Sequence, residues 1–85
     1  MESNVLKSRL LAAFAANVRK ARQAKGLSQE QLAAEAGLHR TYVGLVERRL
    51  RAVSILTIEK LADALELPAA SLLVEQGSGR VERRS

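Results

Sequence analysis

His39, Arg40, Thr41 and Tyr42 stand in a row two residues after Gly37, and Arg48, Arg49 and Arg51 follow close behind. An imidazole, a guanidinium and two hydroxyls make a dense set of directional hydrogen-bonding groups. They do not make a catalytic set. His39 is the one histidine, there is no cysteine, and no nucleophile, base and orienting group fall together. Neither a glycine-rich phosphate loop nor a cluster with metal-ligand spacing is present, so no cofactor and no metal are expected and the chain does not read as an enzyme. The chemistry these groups can do is binding. An arginine can grip guanine O6 and N7 with two bonds, and a threonine can meet a base edge or a thymine methyl. Arg40 and Thr41 are therefore candidate base contacts. His39 is a candidate phosphate contact or helix cap. Tyr42 can pack while its hydroxyl reaches a phosphate, and Arg48, Arg49 and Arg51 are candidate phosphate contacts. The plainer reading of all of them is a solvated helix start with surface charge.

Such groups need elements to aim them, and the periodicity supplies helices. Leu10, Leu11, Phe14, Val18 and Ala21 share one stripe, which predicts an amphipathic helix over roughly 6–25. Gly26 suits a left-handed C-terminal position, and Leu27 can fold back. Ser28 stands three residues before Gln31, a capping-box pattern that opens a second helix with Leu32, Ala33 and Ala36 inward. Gly37 ends it in a tight turn. A third helix is expected over about 39–49, with Val43, Val46 and Leu50 inward and Thr41, Gly44, Leu45 and Arg48 outward. Leu45 is then an exposed leucine that can touch a thymine methyl. A short helix, a glycine-bearing turn and a second short helix form the helix-turn-helix unit, at about 28–49. Ser54 can cap a fourth helix carrying Ile55, Ile58, Leu61, Ala62 and Leu65, and Pro68 suits the first turn of a short fifth over 69–74. Glu47 falls on the inward side of the third helix and Arg22 at the edge of the first helix's stripe. Both placements are odd for charges, and pairing with each other accounts for both.

The chain has 85 residues, room for one domain with a modest core. Phe14 and Tyr42 are its aromatic residues, so alanine and leucine must build that core, which favours an all-α fold. Net charge is +5 and unevenly placed. Lys7, Arg9, Arg19, Lys20, Arg22 and Lys25 precede any acid after Glu2, whereas Glu59, Asp63, Glu66 and Glu75 face only Lys60 across the later stretch. That asymmetry suggests an oriented polyanionic partner. The stretch LKSRLLAAFAANV resembles a secretory signal in outline, but its pattern continues as one amphipathic helix and Glu2 sits in the supposed basic region. The apolar run is far short of the ~20 residues of a membrane span. A cytoplasmic protein with no membrane partner is expected. Residues 1–74 read as the domain and 75–85, with Arg80, Arg83 and Arg84, as a flexible basic tail.

From Val18 to Leu73, the segments VRKARQAKGLSQEQLAAEAGLHRTYVGLVER and LTIEKLADALELPAASLL resemble the Cro/C1-type helix-turn-helix regulators, also called the xenobiotic-response-element family. The LHRTYVGLVER segment looks most like the controller proteins of restriction–modification systems. The resemblance implies a five-helix, lambda-repressor-like fold. It also implies a homodimer whose recognition helices enter the major groove of a double-stranded DNA operator. It places Gln29 at a phosphate contact, Arg40 and Thr41 at base edges, and Arg22 with Glu47 in a structural ion pair. The loop after the third helix departs from the family pattern. Arg49 stands where a glycine ends the helix, and Val53 where a proline is usual. A left-handed Arg49 would be strained by about 1–2 kcal/mol; alternatively the helix runs on a turn.

Leu67, Leu72, Leu73 and Val74 exceed what a short last helix needs and are candidate dimer-seam residues, unless they pack internally. The leading expectation is a homodimeric regulator on a pseudo-palindromic operator. The alternative is an antitoxin-like interaction module that binds a toxin or another protein, with DNA binding secondary.

Overall fold

The computed structural model describes residues 8–75, and every regular element in them is helical. The order is α1 (Arg9–Ala24), α2 (Gln29–Ala36), α3 (Tyr42–Glu47), α4 (Ile55–Leu65) and a closing 3-10 helix, Ala69–Leu73. The expected start of the first helix at residue 6 and all of the basic tail beyond Glu75 lie outside the described residues. Within them, α1 begins at Arg9 because the Ser8 hydroxyl accepts the Leu11 N–H at 3.0 Å. The fifth helix is a 3-10 turn rather than an α-helix. It is only five residues long, and both the backbone N–H and the hydroxyl of Ser71 donate to the Pro68 carbonyl. That i to i+3 closure tightens the first turn, and the segment is too short to relax into α geometry.

Phe14 and Val18 of α1, Leu32 and Ala33 of α2, Val43 and Val46 of α3, and Leu61 and Leu65 of α4 form one core. α1 lies against α3, α4 and the 3-10 helix, and α2 packs on α3 and α4. Three residues expected on inward stripes face out. Leu10 sits in the first turn of α1 and Ile55 opens α4, both past the rim of the core; Ile55 is 72% exposed. Leu50 is 56% exposed because α3 ends at Glu47, so the chain leaves the helix before Leu50 could reach the interior.

All four α-helices stop in the same way. Leu27, Leu38, Leu50 and Leu67 donate their N–H groups back to Arg22, Ala33, Leu45 and Ala62, each over the left-handed residue just before. This is the Schellman closure. At Gly37, which makes the bend between α2 and α3, φ is +71° and no Cβ is present to resist it. Arg49 and Glu66 take the same conformation with side chains, at φ values of +60° and +61°. The Arg49 alternative left open by the sequence is thereby decided: the helix stops and the residue turns left-handed. Glu66 gains a compensating contact, a 2.9 Å ion pair with Lys25 at the end of α1. The hydrogen bond and charge of Lys25 hold the Glu66 carboxyl below the usual range.

Candidate nucleic-acid interface

The helix-turn-helix is assembled by α2, the turn at 37–41 and α3. Ser28 caps α2 by accepting from the Gln31 N–H at 3.0 Å, while Gln31 accepts from the Ser28 N–H at 2.7 Å. Both halves of the expected capping box are thus formed. Leu38, half-buried, packs on the core and pins the turn.

α3 starts later than its pattern suggested. The expected helix over 39–49 is confined to Tyr42–Glu47, so Arg40 and Thr41 lie in the turn that leads into it. His39 holds that turn. Its Nδ1 accepts the Thr41 backbone N–H at 3.2 Å and lies 2.9 Å from the Thr41 hydroxyl, while its carbonyl accepts the Tyr42 N–H at 2.9 Å. These contacts brace the turn ahead of α3; the helix itself opens at Thr41 with no side-chain cap hydrogen bond.

Arg40, Arg48, Arg49 and Arg51 are exposed on either side of this short helix, and among the described residues none of them makes an ion pair. Thr41 is exposed beside Arg40, and Tyr42 is half-buried against the core. Leu45 is half-buried rather than the exposed leucine expected, since α3 ends in a tight closure that brings Leu50 back over it.

Behind the helix, Arg22 and Glu47 meet as their odd positions predicted. Nε of Arg22 donates to Glu47 Oε2 at 2.7 Å and Nη2 to Oε1 at 3.1 Å, a two-bond fork. Nη1 donates to the Leu27 carbonyl at 2.8 Å. Their side chains are 11% and 4% exposed. The hydrogen bond to Glu47 raises the pKa of Arg22 against the opposing effect of burial, so the guanidinium is held charged. Gln29 completes the group, its Nε2 donating to Glu47 Oε1 at 3.0 Å. One carboxylate therefore ties together α1, the start of α2 and the end of α3.

The seam residues divide. Leu67 and Val74 are exposed, Leu73 is half-buried on the core, and Leu72 is 1% exposed. Leu72 is core, not seam. The inward turn of the 3-10 helix is held by Asn17, whose Nδ2 donates to the carbonyls of Leu72 and Val74, both at 2.9 Å. Asn17 was not singled out in the sequence, although a polar residue two turns after Leu10 on an apolar stripe is a visible signal. Ile55 and Leu56 add exposed apolar surface that was not anticipated. Among the described residues no helix is long and apolar enough to cross a membrane, and no three His, Asp or Glu side chains are grouped as a metal site.

A capped helix, a left-handed glycine turn and a second helix flanked by exposed arginines define a helix-turn-helix DNA-binding domain. Residues 18–72 match the family model described as Helix-turn-helix, and the chain belongs to that family, in its Cro/C1 branch. Its members are DNA-binding transcription regulators, a class distinct from enzymes. The chain is 52% identical over 64 residues to the control protein C.SmaI of Serratia marcescens, covering 75% of this chain and 76% of that one. It superposes on the restriction–modification controller protein C.AhdI of Aeromonas hydrophila with a TM-score of 0.70 and 52% identity, over 73% and 94% of the two chains. It also superposes on the controller protein C.Esp1396I, crystallised as a tetramer with its natural 35 base-pair operator. There the TM-score is 0.72 at 33% identity, over 78% of this chain and 87% of that one. Variants of C.Esp1396I in which an arginine, the following threonine and the following tyrosine are each replaced by alanine have matching structures.

Proposed function

We propose that this chain binds a pseudo-palindromic DNA operator as a homodimer, with the turn before α3 and the start of α3 in the major groove. The observation that carries the reading is the set of four exposed arginines around α3, without an ion-pair partner among the described residues. In a protein interior or a neutral interface such groups would lack partners; against DNA each finds a phosphate or a base edge. Arg40 and Thr41 read bases, and Leu45 offers its outer edge to a thymine methyl. Arg48, Arg49, Arg51, Gln29 and the Tyr42 hydroxyl contact phosphates. His39 serves mainly by bracing the turn at Thr41, beside which Arg40 is exposed. The run Arg40–Thr41–Tyr42 repeats the residue types replaced singly in C.Esp1396I, which supports placing the reading edge there. Residues 1–74 act as the domain, and 75–85 as a basic tail adding non-specific attraction. Leu67 and Val74, with part of Leu73, form the dimer seam.

A salt titration on operator and scrambled duplexes, after footprinting, tests the reading. The operator should bind at least a thousandfold more tightly at physiological salt. Protection should fall on two half-sites about one helical turn apart. Equal binding to both duplexes would remove sequence-specific regulation and put the protein-partner reading, a toxin included, in its place.

A further inference from the structure

Gly44 is the third residue of α3, a helix of only six residues that glycine weakens. Its backbone does not demand glycine, for the left-handed residues described are Gly26, Gly37, Arg49 and Glu66. Its reason is steric. A Cβ at Gly44 would lie 2.9 Å from Gln29 Oε1 and 3.5 Å from Gln29 Cδ. The first distance is well inside the 3.5–4.0 Å or so at which carbon atoms rest against their neighbours. The Gln29 amide therefore lies against a bare Cα, and from that seat Nε2 reaches Glu47 Oε1 at 3.0 Å.

We propose that Gly44 is a positioning residue for Gln29. Its missing side chain keeps open the seat from which Gln29, docked on Glu47, presents its remaining amide N–H to a DNA phosphate. The inference rests on the DNA-binding reading above. It carries a consequence that a merely structural glycine would not. The atoms that must yield to a Cβ belong to the end of a flexible, exposed side chain, not to backbone. Alanine at this position leaves the Arg22–Glu47 fork in place and displaces only the glutamine. Helix stability and DNA affinity then move in opposite directions. A glycine present to let DNA approach closely would behave otherwise, since alanine would obstruct DNA whether or not Gln29 is there.

The test is a double-mutant cycle in the full chain with Gly44→Ala, Gln29→Ala and both together. Melts are read beside salt titrations on a random-sequence duplex and on the footprinted operator. Gly44→Ala should raise Tm by about 4 °C in the Gln29→Ala background and by clearly less in the wild type. Each single variant should weaken random-duplex binding by a similar factor, about three- to tenfold, and the double variant should bind no worse than Gln29→Ala. Equal Tm gains in both backgrounds would overturn the seat. A double variant weaker than Gln29→Ala would assign Gly44 to DNA approach instead. Coupled melts with unchanged duplex binding would overturn the phosphate contact of Gln29. A wild type that binds no duplex at all would sink the DNA-binding reading itself, leaving the melts to decide the seat.

Discussion

Glu47 shows how much rests on one side chain. It accepts two bonds from Arg22 and one from Gln29 and is almost wholly enclosed. Replacing such a pair by apolar groups can be neutral, but removing one partner strands the other charge. Glu47→Ala should therefore cost about 3–5 kcal/mol in a denaturant melt, and a change below about 1 kcal/mol would show that solvent reaches Arg22 freely. At the edge proposed to face DNA, the two arginines should differ in kind rather than size. Arg40→Ala should lose about 1–3 kcal/mol of discrimination at one base pair per half-site. Arg51→Ala should weaken operator and scrambled duplexes alike and flatten the salt dependence by about one unit per site. If Arg40→Ala lowers both affinities equally, base reading moves to Thr41 or Leu45.

The elements share one way of stopping, and two of the four do so at a residue with a side chain. Glu66 recovers part of the cost through Lys25, whereas Arg49 has no ion-pair partner among the described residues. A strained arginine held on the side proposed to face DNA, where glycine would sit without strain, points to a use for its charge. Arg49→Gly should accordingly raise stability by about 0.5–1 kcal/mol, the relief of left-handed strain less the added freedom of the unfolded chain. The same variant should bind DNA more weakly, with a salt slope lower by about one unit per site. A variant that gains stability and keeps full affinity would show that Arg49 does not touch phosphate.

At the scale of the molecule, an 85-residue chain without cysteine builds its core from Phe14 and aliphatic side chains and still leaves Leu67, Val74, Ile55 and Leu56 exposed. A two-fold dimer would cover such surface with a copy of itself and set two α3 helices on one side. Sedimentation at micromolar concentration should show two chains, and Val74→Asp, which leaves the core untouched, should shift the protein to monomer. Asn17→Ala should weaken association too, because it frees the carbonyls of Leu72 and Val74 beside the proposed seam. A wild type that sediments as a monomer both alone and on DNA would remove the seam.

Much of this was legible in the sequence because it is local. Caps at Ser28 and Ser54, the left-handed turns at Gly26 and Gly37, and the apolar stripe of α1 from Leu11 onward depend on residues a few positions apart, and the structure forms each of them. Even the Arg22–Glu47 pair could be inferred, since two charges on inward faces must find each other. What needed the third dimension was where elements end and which side of a short segment turns in. The start of α3 at Tyr42, after a turn in which His39 bonds to Thr41, does not follow from periodicity. Its end at Glu47, closed by the left-handed Arg49, turned Leu50 outward, and a pair of hydrogen bonds from Asn17 accompanies the burial of Leu72. The seat of Gln29 on Gly44 joins two helices across the turn. A linear pattern carries no such contact, because it exists only once α2 and α3 have packed.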